Sequence, residues 1–179
     1  MAYPTDLLDH LRSHSLRTDG PFTLASGRRA DWYLDARQTT FSGEGARLVG
    51  EAVLAVLDHD VRAVGGMTMG ADPMAIAAAV CSGGAVDAFS IRKAAKDHGT
   101  GGRLVGPVPS GTAVAVLEDT TTTGGAFFEA IDVAVDHGLV VVQAIALFDR
   151  SDGTVGAEMA RRDLPYRALA RPSDLGVGQ

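Results

Sequence analysis

Two carboxylates, four hydroxyls and two glycines follow one another without interruption in Glu118, Asp119, Thr120, Thr121, Thr122, Thr123, Gly124 and Gly125. A Thr/Gly loop that leads into a helix presents backbone N–H groups, hydroxyl donors and the positive end of a helix dipole, which together suit a phosphate. Two acids beside a phosphate cradle would repel it unless something lies between. A sugar that carries the phosphate supplies this, because carboxylates accept hydrogen bonds from vicinal ribose hydroxyls; so does a cation that bridges to the phosphate. The residues therefore point to a ribose-phosphate site. The competing reading is an acidic helix N-terminus with Thr caps. A lone Thr-Gly turn would fit that reading, but the full succession of apolar strand, acid pair, hydroxyls, glycines and helix favours the phosphate site. No Lys follows the glycines and the run is not GxGxxG, so neither a Walker A loop nor a dinucleotide fingerprint is present.

Two further groups could act with this one. Residues 92–103, RKAAKDHGTGGR, hold Arg92, Lys93, Lys96 and Arg103 against the single acid Asp97, in a chain whose net charge is −6. Lys93 and Lys96 are the only lysines in the sequence. The Gly-Thr-Gly-Gly run makes the later half loop-like and mobile. A cationic loop after a strand end suits a lid that neutralises a polyphosphate, with a solvated surface loop as the plain alternative. Arg150 follows the apolar run 139–147; it is either a surface residue of a turn or a bidentate partner for a substrate carboxylate.

The elements that must position these groups alternate. Leu7, Leu8 and Leu11 mark a helix over 5–15. Residues 22–24 and 32–34 read as a small hairpin around the turn at 25–29, with Trp32 in a packing role and Arg28 and Arg29 solvated. Helix 45–57 starts at Ser42 or Glu44. A strand at 61–64 ends in a glycine turn, with Asp72 as cap and Pro73 first in a helix that runs through 76–80. Strands at 86–91, 113–117 and 139–147, helices at 126–137 and 155–162, and an edge strand at 164–169 complete the pattern; a short segment from Pro172 ends it. This predicts an α/β fold with a mostly parallel central sheet flanked by helices. Ligands of such sheets bind beyond the carboxyl ends of the strands.

The 179 residues suit one domain over 1–179. The acidic balance argues against a protein that coats nucleic acid. Cys81 is the only cysteine, which excludes an intrachain disulfide and a cysteine-based metal cluster and fits a reducing cytoplasm. Residues 1–20 are charged throughout, unlike a signal peptide, and no apolar run reaches the length of a membrane span.

Five segments carry a resemblance. VLEDTTTTGGA (116–126) resembles the phosphoribosyl-diphosphate loop of the type I phosphoribosyltransferases. FTLASGRRADWYLDAR (22–37), VGGMTMGADPMA (64–75), IRKAAKDHGTGG (91–102) and FDR (148–150) resemble, in the same order, the substrate segment, glycine turn, catalytic loop and strand-end arginine of the orotate phosphoribosyltransferases. The resemblance implies the type I fold with an N-terminal hood over about 1–40. It also implies transfer of a 5-phosphoribosyl group from phosphoribosyl diphosphate (PRPP) to N1 of orotate. It assigns the ribose hydroxyls to Glu118 and Asp119, the 5-phosphate to the loop from Thr120 to Gly125 with Ala126, and the diphosphate to Arg92, Lys93, Lys96 and His98. Lys96, Asp97 and His98 form the closing, catalytic part of the loop, with either Lys96 or His98 able to protonate the leaving diphosphate. Arg150, Tyr33 and Thr122 meet orotate. Mg2+ is held mainly by substrate, and a cytoplasmic homodimer lets loop 92–103 reach the neighbouring site. Lysines that some members carry are replaced here by Ala25 and by Gly70 or Ala71. The alternatives are a phosphoribosyltransferase for another base and a non-catalytic nucleotide sensor of the same fold.

Overall fold

Leu7 and Leu11, about one helical turn apart, are both fully buried and anchor the first helix. This is α1 (Thr5–His10), continued as a wider π turn through Leu11–Ser15. The computed structural model describes residues 5–23, 29–94 and 102–178. Four two-residue strands follow: β1 (Leu16–Arg17), β2 (Phe22–Thr23), β3 (Arg29–Ala30) and β4 (Tyr33–Leu34). The hairpin differs from the sequence expectation. Phe22–Thr23 pairs with Arg29–Ala30, and Tyr33–Leu34 pairs instead with Leu16–Arg17. Burial is the physical reason: Trp32 and Leu34 turn into the main core, which pulls β4 away from the exposed β2–β3 pair.

The short α2 (Arg37–Thr40) leads to α3 (Gly43–Val56), where Ser42 Oγ accepts from Gly45 N at 3.0 Å, the N-cap the sequence anticipates. Strand β5 (Ala63–Met67), α4 (Ala71–Cys81), β6 (Asp87–Ile91) and β7 (Leu104–Val105) come next. The C-terminal half holds β8 (Ala113–Thr121), α5 (Gly125–Asp136), β9 (Val140–Asp149), α6 (Thr154–Arg161), β10 (Tyr166–Ala170) and a 3-10 turn at Pro172–Leu175. Helix α4 starts one residue before Asp72, so Pro73 sits third in the first turn, where a missing N–H costs nothing. Asp72 accepts the Thr68 hydroxyl at 2.7 Å.

The six-stranded sheet has the order β10-β9-β8-β5-β6-β7, parallel except for β7 at one edge. Alternate residues of β8 serve two layers: Ala115 and Leu117 join the core beneath α1, α3 and α4, and Val114 and Val116 join the core beneath α5 and α6. From β5 the chain moves outward to β6, and β8 returns to the other side of β5. The carboxyl ends of β5 and β8 therefore flank the topological switch point, where open α/β sheets form their ligand crevice.

Candidate functional site

β8 does not stop at Leu117. It runs through both acids and two threonines because β9 is long enough to pair with it there, with Thr120 opposite Phe148 and Thr121 opposite Asp149. The chain then turns at Gly124, whose φ is +78°. A Cβ at Gly124 would meet the Phe128 ring at 2.6 Å and Val155 at 2.9 Å, so glycine is required by both dihedral and space. Gly124 caps α5 without a side-chain hydrogen bond, which leaves the first N–H groups of the helix directed at a hollow. The hollow encloses about 170 Å3 between Glu118 and residues 120–127. Its composition of hydroxyls and helix N–H groups is that of an anion cradle.

Glu118 lines the hollow and Asp119 follows it, both half-buried. Burial, then the neighbouring Asp119 charge, push the Glu118 carboxyl up to about 8, with Lys93 acting in the opposite sense. Glu118 Oε2 is buried and has no hydrogen-bond partner among the described residues. Burial also raises Asp119; the N–H of Thr120, donated to Oδ1 at 2.8 Å, and the charge of Arg37 oppose the rise. Gly70, at the end of the β5 turn, packs against the Asp119 carboxylate. Two carboxylates with unmet acceptor capacity suit sugar hydroxyls or a divalent cation.

Across the sheet, Arg150 leaves the end of β9. Its guanidinium lies 4.5 Å from the centre of the Trp32 ring, and its N–H donates to Thr121 O at 3.0 Å. Trp32 is buried, meets Phe148 edge-on and donates from Nε1 to Gly178 O at 2.6 Å. The packing role expected of Trp32 thus comes with a second, as a platform for Arg150. Tyr33, next in sequence, is half-exposed beside Phe22.

At the mouth of the cationic loop, Arg92 N donates to Arg103 O at 2.8 Å, and Arg103 reaches Arg92 O at 2.7 Å and Glu129 of α5 at 2.5 Å. The loop is thereby rooted on the helix that begins at the cradle, with Lys93 near enough to influence Glu118. Lys96, Asp97 and His98, and the turn at Ala25 and Arg28, lie outside the described residues.

Of the expected site residues that are described, Glu118, Asp119, Thr120, Thr122, Thr123, Gly124, Gly125 and Ala126 come together. Thr121 lines the same hollow, but its hydroxyl is committed to Asp149 Oδ1 at 2.9 Å, so it can offer a ligand only main-chain groups. The sequence reading missed Asp149, the Arg37–Asp35 ion pair (2.8 Å) whose charges act on Asp119, and the contact of Gly70 with that carboxylate. The YLDAR and FDR segments contained the first two, but only their arrangement in space shows what they touch. Among the described residues, the one compact group of metal-ligand types is Asp58, His59 and Asp60, exposed before the amino end of β5 and so remote from this crevice.

No protein-family model matches the chain. The orotate phosphoribosyltransferase of Streptomyces avermitilis is 44% identical over 162 residues, which cover 88% of this chain and 89% of that protein. That of Streptomyces coelicolor is 39% identical over 176 residues, 96% of both chains. Among solved structures, Mycobacterium tuberculosis orotate phosphoribosyltransferase in complex with PRPP superposes with a TM-score of 0.79 at 33% identity, covering 96% of this chain and 98% of that one.

Proposed function

The chain belongs to the orotate phosphoribosyltransferase family, with its type I phosphoribosyltransferase fold, and from this premise we propose how its own residues bind and transfer the phosphoribosyl group. The reaction joins orotate to PRPP, giving orotidine 5'-phosphate and diphosphate, a step of pyrimidine nucleotide biosynthesis.

N1 of the orotate anion attacks C1 of the ribose while diphosphate departs, through a transition state in which the ring oxygen shares the positive charge. Alignment and charge stabilisation are what the protein must supply. The N–H groups of Gly124, Gly125 and Ala126, the hydroxyls of Thr120, Thr122 and Thr123, and the main chain of Thr121 hold the 5-phosphate. Glu118 and Asp119 accept hydrogen bonds from the ribose hydroxyls. They also fit Mg2+ brought in by the diphosphate, because Glu118 Oε2 is a buried acceptor without a partner among the described residues. Mg2+ supplies charge neutralisation of the leaving group. Arg92 and Lys93 stand at the loop root for the diphosphate; Lys96, Asp97 and His98 complete that role by their resemblance to the family loop. Arg150 pairs with the orotate carboxylate, with Tyr33 and Thr122 nearby. Asp119 and Glu118 do not act as nucleophiles, and closure excludes water from the activated sugar.

The observation that carries the base assignment is Arg150, held over Trp32 and hydrogen-bonded through its N–H to the strand that carries the cradle. A planar cation on the strand end next to a phosphoribosyl site favours a base bearing a carboxylate. Met69, Ile76, Val80 and Val105 are exposed apolar side chains on α4 and its neighbours, which supports a homodimer; the resemblance of loop 92–103 to the family loop supports its serving the neighbouring site. Among the described residues no helix is long and apolar enough to cross a membrane, and the single free cysteine agrees with a cytoplasmic enzyme.

The test is an assay of purified protein with PRPP, Mg2+ and orotate, uracil, hypoxanthine or adenine, followed by ultraviolet absorbance. Mg2+-dependent consumption of orotate alone is expected. Turnover of another base would overturn the role of Arg150. Binding of PRPP without any turnover would identify a sensor.

A further inference from the structure

Asp149 is a buried carboxylate that the chemistry above does not use. It is 5% exposed, at the last position of β9, opposite Thr121 at the last position of β8. One oxygen, Oδ1, accepts both the Thr121 hydroxyl (2.9 Å) and the Ser151 N–H (2.9 Å). Between the acceptor Asp149 and the donor Ser151 in the chain sits Arg150, whose own N–H closes back onto Thr121 O at 3.0 Å. Ser151 Oγ in turn accepts from Val155 N at 3.2 Å in the first turn of α6. The ring of contacts thus runs from the root of the phosphate cradle, through one carboxylate oxygen, to both sides of the arginine and on to a helix N-terminus.

An ionised carboxylate in such a place needs donors to compensate its lost hydration. Burial works against the charge, yet the donated bonds from Ser151 and Thr121 outweigh it and hold Asp149 below the ordinary carboxylate range. The Tyr166 hydroxyl is buried beside it, and burial together with the Asp149 charge keeps that phenol protonated. The group facing Asp149 from β10 is therefore also fixed in state.

We propose that Asp149 is a positioning residue that sets the orotate-binding arginine and the phosphate cradle in one rigid relation, so that a change at Thr121 is felt by orotate. This rests on the reading of Arg150 given above. Thr121 contributes no side chain to either substrate, which makes its hydroxyl a clean probe of the link.

The experiment is steady-state kinetics of the full chain as wild type, Thr121→Val, Thr121→Ser, Asp149→Asn and the Thr121→Val/Asp149→Asn double variant, with thermal melting as the folding control. Thr121→Val is expected to raise KM for orotate about fivefold or more, Thr121→Ser to restore it, and the double variant to be no worse than the worse single variant, since Thr121→Val removes and Asp149→Asn weakens one shared contact. KM for orotate within twofold of wild type in Thr121→Val and Asp149→Asn, with only the melting temperature lowered, would overturn the proposal. A second arm separates this from failure of the orotate assignment: binding of inorganic phosphate alone, measured by calorimetry. Weaker phosphate binding by Asp149→Asn than by wild type is expected whatever base the enzyme uses. Unchanged binding would overturn the link even if orotate is turned over.

Discussion

Gly70 and Asp119 are in contact across the β5–β8 crevice: a methyl group on Gly70 would lie 2.5 Å from Asp119 Oδ1. Gly70 has ordinary helical dihedrals, φ −61° and ψ −44°, so alanine there carries no backbone strain. Gly70→Ala is therefore a displacement of one carboxylate and little else. We expect kcat/KM for PRPP to fall about tenfold or more, equivalent to about 1.4 kcal/mol of lost transition-state stabilisation. The melting temperature should shift by no more than a few degrees. Unaltered kinetics would mean that Asp119 does not hold the ribose.

Glu118 makes stability depend on pH. Its carboxyl is pushed from the ordinary 4.5 up to about 8 in the folded chain, by burial first and by Asp119 second. A raised carboxyl contributes stability that is fully present below the unfolded value and is lost as pH rises through about 8. Glu118→Gln, which stays neutral, should therefore gain on the ligand-free wild type between pH 5 and pH 8.5. The gain should be on the order of 3 kcal/mol at the upper end. Melting curves at both pH values decide this; a difference that does not grow with pH would contradict a buried, uncompensated Glu118.

Trp32 should matter to orotate through Arg150. Cation–π contacts contribute about 0.5–2 kcal/mol, which corresponds to roughly 2- to 30-fold in affinity. Trp32→Leu is expected to raise KM for orotate within that span and to leave KM for PRPP unchanged. Arg150→Ala should have a larger effect in the same direction. Equal effects on the two substrates would place Arg150 outside the base site.

Lys96→Ala should lower kcat about a hundredfold, the scale of removing one preorganised stabilising group, with a much smaller change in KM for PRPP. Rapid-mix single-turnover measurements would locate the loss in the chemical step. Normal turnover would remove Lys96 from the catalytic loop.

Much of the sheet is legible in the sequence because its strands are short apolar runs punctuated by glycine, and the cradle is legible because phosphate binding uses local groups in unbroken succession. What is not legible depends on pairing at a distance. The end of β8 is set by β9, so the extension through Thr121 requires knowing that residue 149 lies opposite. Thr121 looks like one hydroxyl of four, and only its burial against Asp149 sets it apart. β7 has two residues and exists only because Ser90 and Ile91 pair with it. Trp32, Asp35 and Arg37 belong to a segment whose chemistry depends on which strand ends it packs against. No local period encodes that.

The strand order has a consequence for the newborn protein. β8 is flanked by β5, made some fifty residues earlier, and by β9, made roughly twenty residues later. Until residues 140–149 are available, one side of this apolar strand has no neighbour, and bare strand edges invite pairing with other molecules. The arrival of β9 closes that edge and delivers Asp149 and Arg150 in the same motion. A chain halted before this point lacks the arginine and is also exposed to aggregation, so loss of function and loss of solubility should begin at the same residue.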